Sequence, residues 1–590
     1  MFMKPFLSSI AIVGLFCFSL QAQIQTPPNY HTDEEIISAP APVNPIIDGI
    51  TDPPDFDVRP MAEWEEIQSL IITWAGFNSI NKNIARYAKE ECEVIILSDN
   101  PTSTENYLMN SSGGGPLNNM DNITILDSDF NSIWGRDYGG NTCYREDVQE
   151  PILVDWIYNR VRPADDATPA VIANYKGIDL YETTVAPYDM MATGGNFMSD
   201  GYKTAFSSEL IMDENEGGFF NGLNHPDHTE AEIDDIVNQF MGVENYIKMD
   251  NLPFDLIHHI DMHMKILDEE TIVVGEYPNG VADGPQIEAN IEYILSNHTN
   301  SFGTPYKIER IIQPPENGSY PNTGGDYRTY SNMVFVNKTV ILPVYEEQYD
   351  EQALETLHEL LPGYNIETIV CNDIIPLSGA IHCITKAVGV DEPLWIATDP
   401  IDDTFTEFED QTVQAIIKHK LGIAEARMFW KDDINGVYVE VPMTLVDADE
   451  FIYEATIPGQ EFGTTIYYYI NGVASDGKTI NRPMPAPEGY FSFKFIGSVG
   501  IGEVEGNVIE SIYPNPATAI TVIPLTVPEA GDAKLYMTNS IGQEVLIIKQ
   551  GSFAPGEQKY FIDAGEFAAG VYNVVLEMKG FVFNQKLVIE

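Results

Sequence analysis

The sequence predicts a mixed α/β region over residues 56–420 followed by two all-β units, at 421–497 and 511–590, with a linker at 498–510 between them. Three observations carry this. Apolar strand-like runs recur in the first region, at 70–74, 94–97, 123–126, 271–274, 333–336 and 340–343, and helical patterns at 286–296 and 351–361 fall between some of them. After residue 420 the text alternates, as in Gly436-Val437-Tyr438-Val439-Glu440-Val441 and Thr465-Ile466-Tyr467-Tyr468-Tyr469-Ile470, with turns between. That pattern suits a sandwich-like sheet. Residues 498–505 are Gly-rich, and a further strand-rich unit opens at Ile512-Tyr513-Pro514-Asn515-Pro516-Ala517. Within the α/β region, Gly139-Gly140-Asn141, Thr193-Gly194-Gly195-Asn196 and Thr323-Gly324-Gly325-Asp326 hint at a repeated strand–turn unit around a shared centre. Gly-Gly turns are common enough to leave chance as the other reading.

The totals bound the function. A chain of 590 residues exceeds one core and divides into domains. With 90 acidic and 30 basic residues, the formal net charge is -60. That argues against nucleic acid and against an anionic membrane surface, both of which need clustered Lys and Arg. Exposed carboxylates in such a chain can hold structural calcium, but no EF-hand-like loop is present. Residues 1–22 read as a secretory signal, with Lys4 basic and residues 10–20 apolar but too short to span a bilayer. No later run suits a membrane span. Residues 23–55, rich in Pro, Asp and Thr, read as an extended leader, either a propeptide or an arm packed on the surface. Removing the signal leaves Cys92, Cys143, Cys371 and Cys383, too few for a disulfide scaffold.

Three stretches could carry chemistry. Trp134-Gly135-Arg136-Asp137-Tyr138-Gly139-Gly140 sets a carboxylate beside an aromatic ring and a guanidinium; a surface Arg136–Asp137 contact is the plain alternative. In His258-His259-Ile260-Asp261-Met262-His263, the i, i+2 spacing would put His259 and Asp261 on one face of a strand. Three histidines and an aspartate also allow a metal site, although the helical spacing of a zinc motif is missing; a structural histidine pair is the third reading. The last stretch, residues 376–385, holds Cys383 among small residues. A buried free cysteine acts as a small hydrophobe unless a neighbour activates it. Together, a thiol, an imidazole and paired carboxylates suit attack on a planar cationic carbon, with no metal needed.

Trp-Gly-Arg-Asp, then His-x-Asp, then a late Cys, together with Met61-Ala62-Glu63-Trp64-Glu65 near the start, resembles the guanidine-modifying superfamily. Within it, the chain is most similar to the bacterial peptidylarginine deiminase and agmatine deiminase group, over about residues 56–410. The resemblance implies a five-bladed, pseudo-symmetric α/β propeller of ββαβ units. It implies Cys383 as nucleophile, His259 as general acid and then base, Asp137 and Asp261 as guanidinium ligands, Asn332 as the active-site asparagine, and Trp134 as a wall for the substrate's stem. Asn322 and Asn337 compete with Asn332 for its role. Arg160 and Arg162, in Tyr158-Asn159-Arg160-Val161-Arg162-Pro163, are similar to a pair that clamps the carboxylate of a C-terminal arginine. Ordinary salt bridges to Asp165 or Asp166 are the alternative. Thr193 stands where agmatine deiminases usually carry Glu. The unit at 421–497 resembles an immunoglobulin-like domain, and 511–590 resembles a type IX secretion sorting domain.

The function expected is a secreted protein-arginine deiminase acting on arginine-containing peptides or proteins, exported by the type IX machinery, with no cofactor required for catalysis. Agmatine or free-arginine deimination is one alternative, and a non-enzymatic surface binding protein on the same scaffold is another.

Overall fold

The computed structural model describes residues 26–32, 35, 48–404 and 406–496, and in the C-terminal unit 509, 512–518, 520–527, 530–539, 543–578 and 581–589. The expected signal sequence lies outside the described residues, as does most of the linker.

Between Val58 and Gly389 the chain builds five small mixed sheets to one plan. In each, a strand pairs antiparallel with the next strand, a helix follows, and a further strand returns parallel. Thr271–Glu276 pairs antiparallel with Met264–Ile266 and parallel with Lys307–Ile312, and the helix Gly284–Asn297 makes the crossover. Thr339–Val344 does the same with Val334–Val336 and Asn365–Val370 around the helix Glu347–Leu360. Met198–Ser199, Thr204–Ser208 and Asn245–Met249 form a third sheet. Asn141–Arg145, Pro151–Tyr158 and Asp179–Thr183 are the centre of a fourth, edged by Val58–Pro60. In the fifth, Thr385–Gly389 pairs antiparallel with Ile67–Thr73 from the other end of the region, and Glu93–Ser98 and Ile123–Asp127 extend it in parallel.

The sequence explains the plan. Central strands buried on both faces read as continuous apolar runs, as Val94-Ile95-Ile96-Leu97 does with every residue fully buried. The helices are amphipathic. Glu230–Met241 turns Ile233, Ile236, Val237, Phe240 and Met241 inward, and a Thr229–Glu232 capping box starts it. A parallel return needs such a crossover, so helix and strand alternate.

The predicted strands and both predicted helices are present within a few residues. One local reading is corrected: His259 and Asp261 are not on a strand. Ile260–Met262 is a single 3-10 turn, and His259 leads into it. The polar–apolar alternation from His259 to Met264 reads as strand, but the chain turns at Ile260–Met262 before it enters the short strand Met264–Ile266.

A two-sheet β region follows. Strands Trp395–Ala397, Gln411–Lys418, Ile452–Ile457 and Thr444–Asp447 form one sheet; Val439–Pro442, Ile423–Lys431, Thr465–Ala474, Thr479–Arg482 and Phe491–Lys494 form the other. Val413, Ile417, Met428, Tyr468 and Phe493 share their common core. Its first two strands precede the composition change near residue 421. Arg482 reaches back to a buried ion pair with Glu269, and Lys418 bonds Asp147 at 2.7 Å. The C-terminal unit has a further apolar core of its own around Ile523, Leu535, Val574 and Leu587. Among the described residues, no helix is long and apolar enough to cross a membrane.

Candidate active site

The segments that lead into the first strand of each sheet converge on one centre. Gly135–Tyr138 precedes Asn141–Arg145, Gly194–Asn196 precedes Met198–Ser199, Ile260–Met262 precedes Met264–Ile266, Asn332 precedes Val334–Val336, and His382–Ile384 precedes Thr385–Gly389. A repeated sheet thus delivers a turn from five distant parts of the chain to one place. Cys383, Asp261, His259, Asn332 and Asp137 are all fully buried there.

The geometry is close. Cys383 Sγ lies 3.4 Å from Asp261 Oδ2 and 3.2 Å from Asn332 Nδ2. Asn332 Oδ1 accepts from the backbone N–H of His382 at 3.0 Å, so one carboxamide fixes both the thiol and its turn. Asn337 bonds Ile67 and Glu91 instead, and Asn322 is exposed. His259 Nδ1 lies 3.6 Å from Asp137 Oδ1, which also accepts from Gly195 N–H at 3.2 Å. Two glycines make room. A Cβ on Gly195 would come within 2.4 Å of His259 Nδ1, and one on Gly379 within 2.4 Å of the Trp134 ring and 3.1 Å of Cys383 Sγ. The pair Gly194-Gly195 is therefore required by close approach and not only by a turn.

Electrostatics divide the two carboxylates. Burial, then the Asp261 charge, push Asp137 up to about 7. Burial would raise Asp261 as well, but the His382 hydrogen bond and charge outweigh it and hold Asp261 below the usual carboxylate range. Burial takes His259 down to about 3, so its imidazole is neutral at neutral pH. The Cys383 thiol is pushed well up, by burial first and then by Asp261 and Asp137. In the free protein the centre holds a neutral thiol and a neutral imidazole.

Sequence reasoning missed the support behind Asp261. His382 Nδ1 bonds Asp261 Oδ2 at 2.7 Å, and its Nε2 bonds Glu63 Oε1 at 2.6 Å. Glu63 in turn meets Lys265 at 2.7 Å and Arg136 at 3.4 Å. Burial would raise Glu63, but the His382, Lys265 and Arg136 charges hold it well below its ordinary value. The signals were present: Glu63 stands in the Met61–Glu65 motif, and His382 adjoins the cysteine. The contacts that join them span 319 residues of sequence.

The remaining residues are placed as follows. Trp134 is wholly buried, and its indole N–H donates to the Pro27 carbonyl at 2.9 Å. Arg162 pairs with Glu35 at 2.7 Å, whereas Asp165 is held by the backbone and hydroxyl of Ser132 and the backbone of Asn131. Arg160 donates to the Asn29 carbonyl at 3.0 Å. Thr26 and Asn29 of the leader are buried. Among the described residues, the group spaced to hold an ion is Glu392, His419 and Asp476, in the β region. Cys92, Cys143, Cys371 and Cys383 are all free thiols.

The family match makes the chain a hydrolase of the guanidine-modifying class, acting on C–N bonds of amidines. The chain belongs to the Porphyromonas-type peptidyl-arginine deiminase family, whose model matches residues 59–388, more than half of its length. Residues 511–590 match the secretion system C-terminal sorting domain, which directs type IX export to the cell surface or extracellular space. A protein of Mycoplasma mycoides subsp. mycoides, named "Putative agmatine deiminase", is 24% identical over 297 residues, spanning 45% of this chain and 77% of its own. The X-ray structure of a "putative agmatine deiminase", 18% identical, covers 58% of this chain and 100% of its own at a TM-score of 0.50, a likeness of fold. The agmatine deiminase of Enterococcus faecalis, 18% identical, covers 59% of this chain and 99% of its own at a TM-score of 0.48.

Proposed function

We propose that this chain is a secreted protein-arginine deiminase that converts the C-terminal arginine of a peptide or protein to citrulline and releases ammonia. The observation that carries the reading is a set of buried polar atoms without partners among the described residues: Asp137 Oδ2, Asp261 Oδ1 and both ring nitrogens of His259. Buried polar atoms are normally satisfied. A guanidinium brings a planar fan of N–H donors and one positive charge, which suits two carboxylates flanking a thiol.

In this reading the substrate's cation sits between Asp137 and Asp261 and offsets the charges that keep Cys383 protonated. The thiol gives its proton to His259, and the thiolate attacks the guanidinium carbon. His259 returns the proton to the departing nitrogen, ammonia leaves, and a thiouronium joins sulfur to the former guanidinium carbon. His259 then takes a proton from water, the hydroxide adds to that carbon, and the C–S bond breaks as His259 returns its proton to the sulfur; the ureido product sheds its hydroxyl proton to solvent and Cys383 is restored. Asn332 orients the thiol and Trp134 lies beside the substrate's stem. Nothing in the cycle calls on a metal. Calcium, where bound, serves structure on surface carboxylates, and turnover is expected to survive a chelator.

Arg160 and Arg162 favour a substrate that carries a carboxylate, and Thr193 offers no carboxylate to an amine. The second reading, agmatine or free arginine as substrate, is favoured by the names of the relatives. A peptide ending in arginine, the same peptide amidated, and agmatine distinguish the two. The free-acid peptide is expected to have the highest kcat/KM; agmatine in first place, or no effect of amidation, would sink the proposed selectivity.

The five like sheets support a five-bladed propeller of ββαβ units for the deiminase domain. An immunoglobulin-like unit and the sorting unit complete the proposed division. The strands Trp395–Ala397 and Gln411–Lys418 favour starting the immunoglobulin-like unit near Trp395 rather than at 421.

A further inference from the structure

The first described part of the leader contacts the candidate active site, whereas Asp48 and Ile50 bond the strand Asp179–Thr183. Its Pro27 carbonyl accepts from Trp134 Nε1 at 2.9 Å and its Pro28 carbonyl from Arg162 at 2.7 Å. The Asn29 carbonyl accepts from Arg160 Nε at 3.0 Å, and Asn29 N–H donates to the Leu377 carbonyl at 2.9 Å. Glu35 Oε1 accepts from Arg162 Nε at 2.7 Å, and its other oxygen is held by the Thr32 N–H and hydroxyl, each at 2.9 Å. The fit is chemical as well as spatial. Proline has no N–H, so Pro27-Pro28 offers carbonyls alone to a wall that presents donors alone. Its fixed φ also holds an extended peptide with little entropy left to lose.

The Asn29 side chain turns no polar atom to solvent. The residue is fully buried, and its carboxamide reaches Asp137 closely enough to favour the ionised carboxylate, although beyond hydrogen-bond geometry, so both its polar atoms lack partners. It brings a planar amide to Asp137 without the positive charge that the carboxylate would receive from a guanidinium. Glu35 meanwhile supplies a carboxylate to Arg162.

The geometry points to Thr26–Thr32 together with Glu35 as a tethered pseudosubstrate that occupies the peptide-binding groove of the deiminase and keeps it latent. This rests on the proposed reading of the site and adds its regulation. Asn29 stands where the guanidinium end of a substrate arginine would enter, and Glu35 stands in for the carboxylate that Arg162 would receive. Arg160 and Arg162 are engaged by the segment, so an arginine peptide must displace it. The enzyme is active in proportion to the fraction of molecules with the segment out of the groove, and any step that removes or competes out the segment activates it.

The test uses the full-length chain, wild type against Asn29→Gly/Glu35→Gln and against Glu35→Gln alone. Two readouts are followed: kcat/KM on a peptide ending in arginine, and the rate at which 2-chloroacetamidine alkylates Cys383. The double variant is expected to gain roughly tenfold or more in both, since apparent affinity scales with the competent fraction, with the single variant between. A synthetic peptide of residues 26–35 is expected to inhibit the double variant competitively. Unchanged rates in both variants and no inhibition by the peptide would overturn the proposal. Should the wild type then still hydrolyse the arginine peptide, the deiminase reading survives that loss. If neither form hydrolyses any guanidine and Cys383 resists alkylation, both readings fall.

Discussion

The five-sheet region and the β region behind it bury their polar groups in opposite ways. Between residues 395 and 496, the described polar side chains that are buried are Thr398, His419 and Arg482, set in a core of aliphatic and aromatic residues. The centre of the five-sheet region alone buries Asp137, His259, Asp261, Lys265, Asn332 and His382. Desolvating ionisable groups costs stability unless each finds partners. Here Glu63, Lys265 and His382 satisfy one another, while Asp137, Asp261 and His259 keep unpartnered atoms. The β region buries few polar side chains among the described residues, and the five-sheet region concentrates them at the centre that holds Cys383.

The largest test of that contrast is Cys383→Ser. Turnover of an arginine peptide is expected to fall by about a thousandfold or more, as losses of a covalent nucleophile do. The thermal midpoint should stay near that of the wild type, because Ser fills nearly the same volume. Retained turnover would break the assignment of the thiol, and loss of folding would show that the centre is a packing core after all.

How far the sequence carried this contrast depends on the range of the interaction. Strands such as Val94–Leu97 and the helix at 351–361 are local patterns, and they were legible. So was the order of the Trp134–Asp137, His259–Asp261 and Cys383 stretches. Their convergence was not a local property. It arises because five separate sheets each present the turn before a first strand, and the Gly-Gly pairs marked that repetition only in part. The 3-10 turn at Ile260–Met262 was misread as strand because i, i+2 spacing suits both. The path of the leader was illegible for another reason. Pro-rich text predicts an extended chain but not its destination, which is set by donors on Trp134, Arg160 and Arg162 more than 100 residues away.

In the β region, Met428→Ala is the converse probe. Met428 is fully buried in the strand Ile423–Lys431. Truncation there is expected to cost about 2–5 kcal/mol in unfolding free energy, read by denaturant titration, while kcat/KM at a temperature below the transition is unchanged. A matching loss of kcat in the folded enzyme would mean that the two regions are not separable in this way.

The smallest expected effect is in the pH dependence of stability, and its sign follows from the direction of the shifts. Asp137 and Glu214 are raised by burial to about 7, and Asp255 to about 8. A carboxyl raised in the folded state binds its proton there before it does so in the unfolded chain. Each such group therefore makes the protein more stable as pH falls from about 8 towards the unfolded carboxylate range. His259 and His263 are lowered by burial to about 3 and about 4. They withhold protons that the unfolded chain accepts, so they oppose that gain once pH drops below the unfolded histidine value of about 6.5. The thermal midpoint of the full-length chain is expected to rise from pH 8 to about pH 6.5 and then to flatten. Asp137→Asn removes one raised carboxyl and should lessen the slope between pH 8 and 6.5, with turnover lost at every pH. An unchanged slope in that variant would mean that Asp137 is ionised throughout in the free protein. The two carboxylates would then differ in position but not in charge.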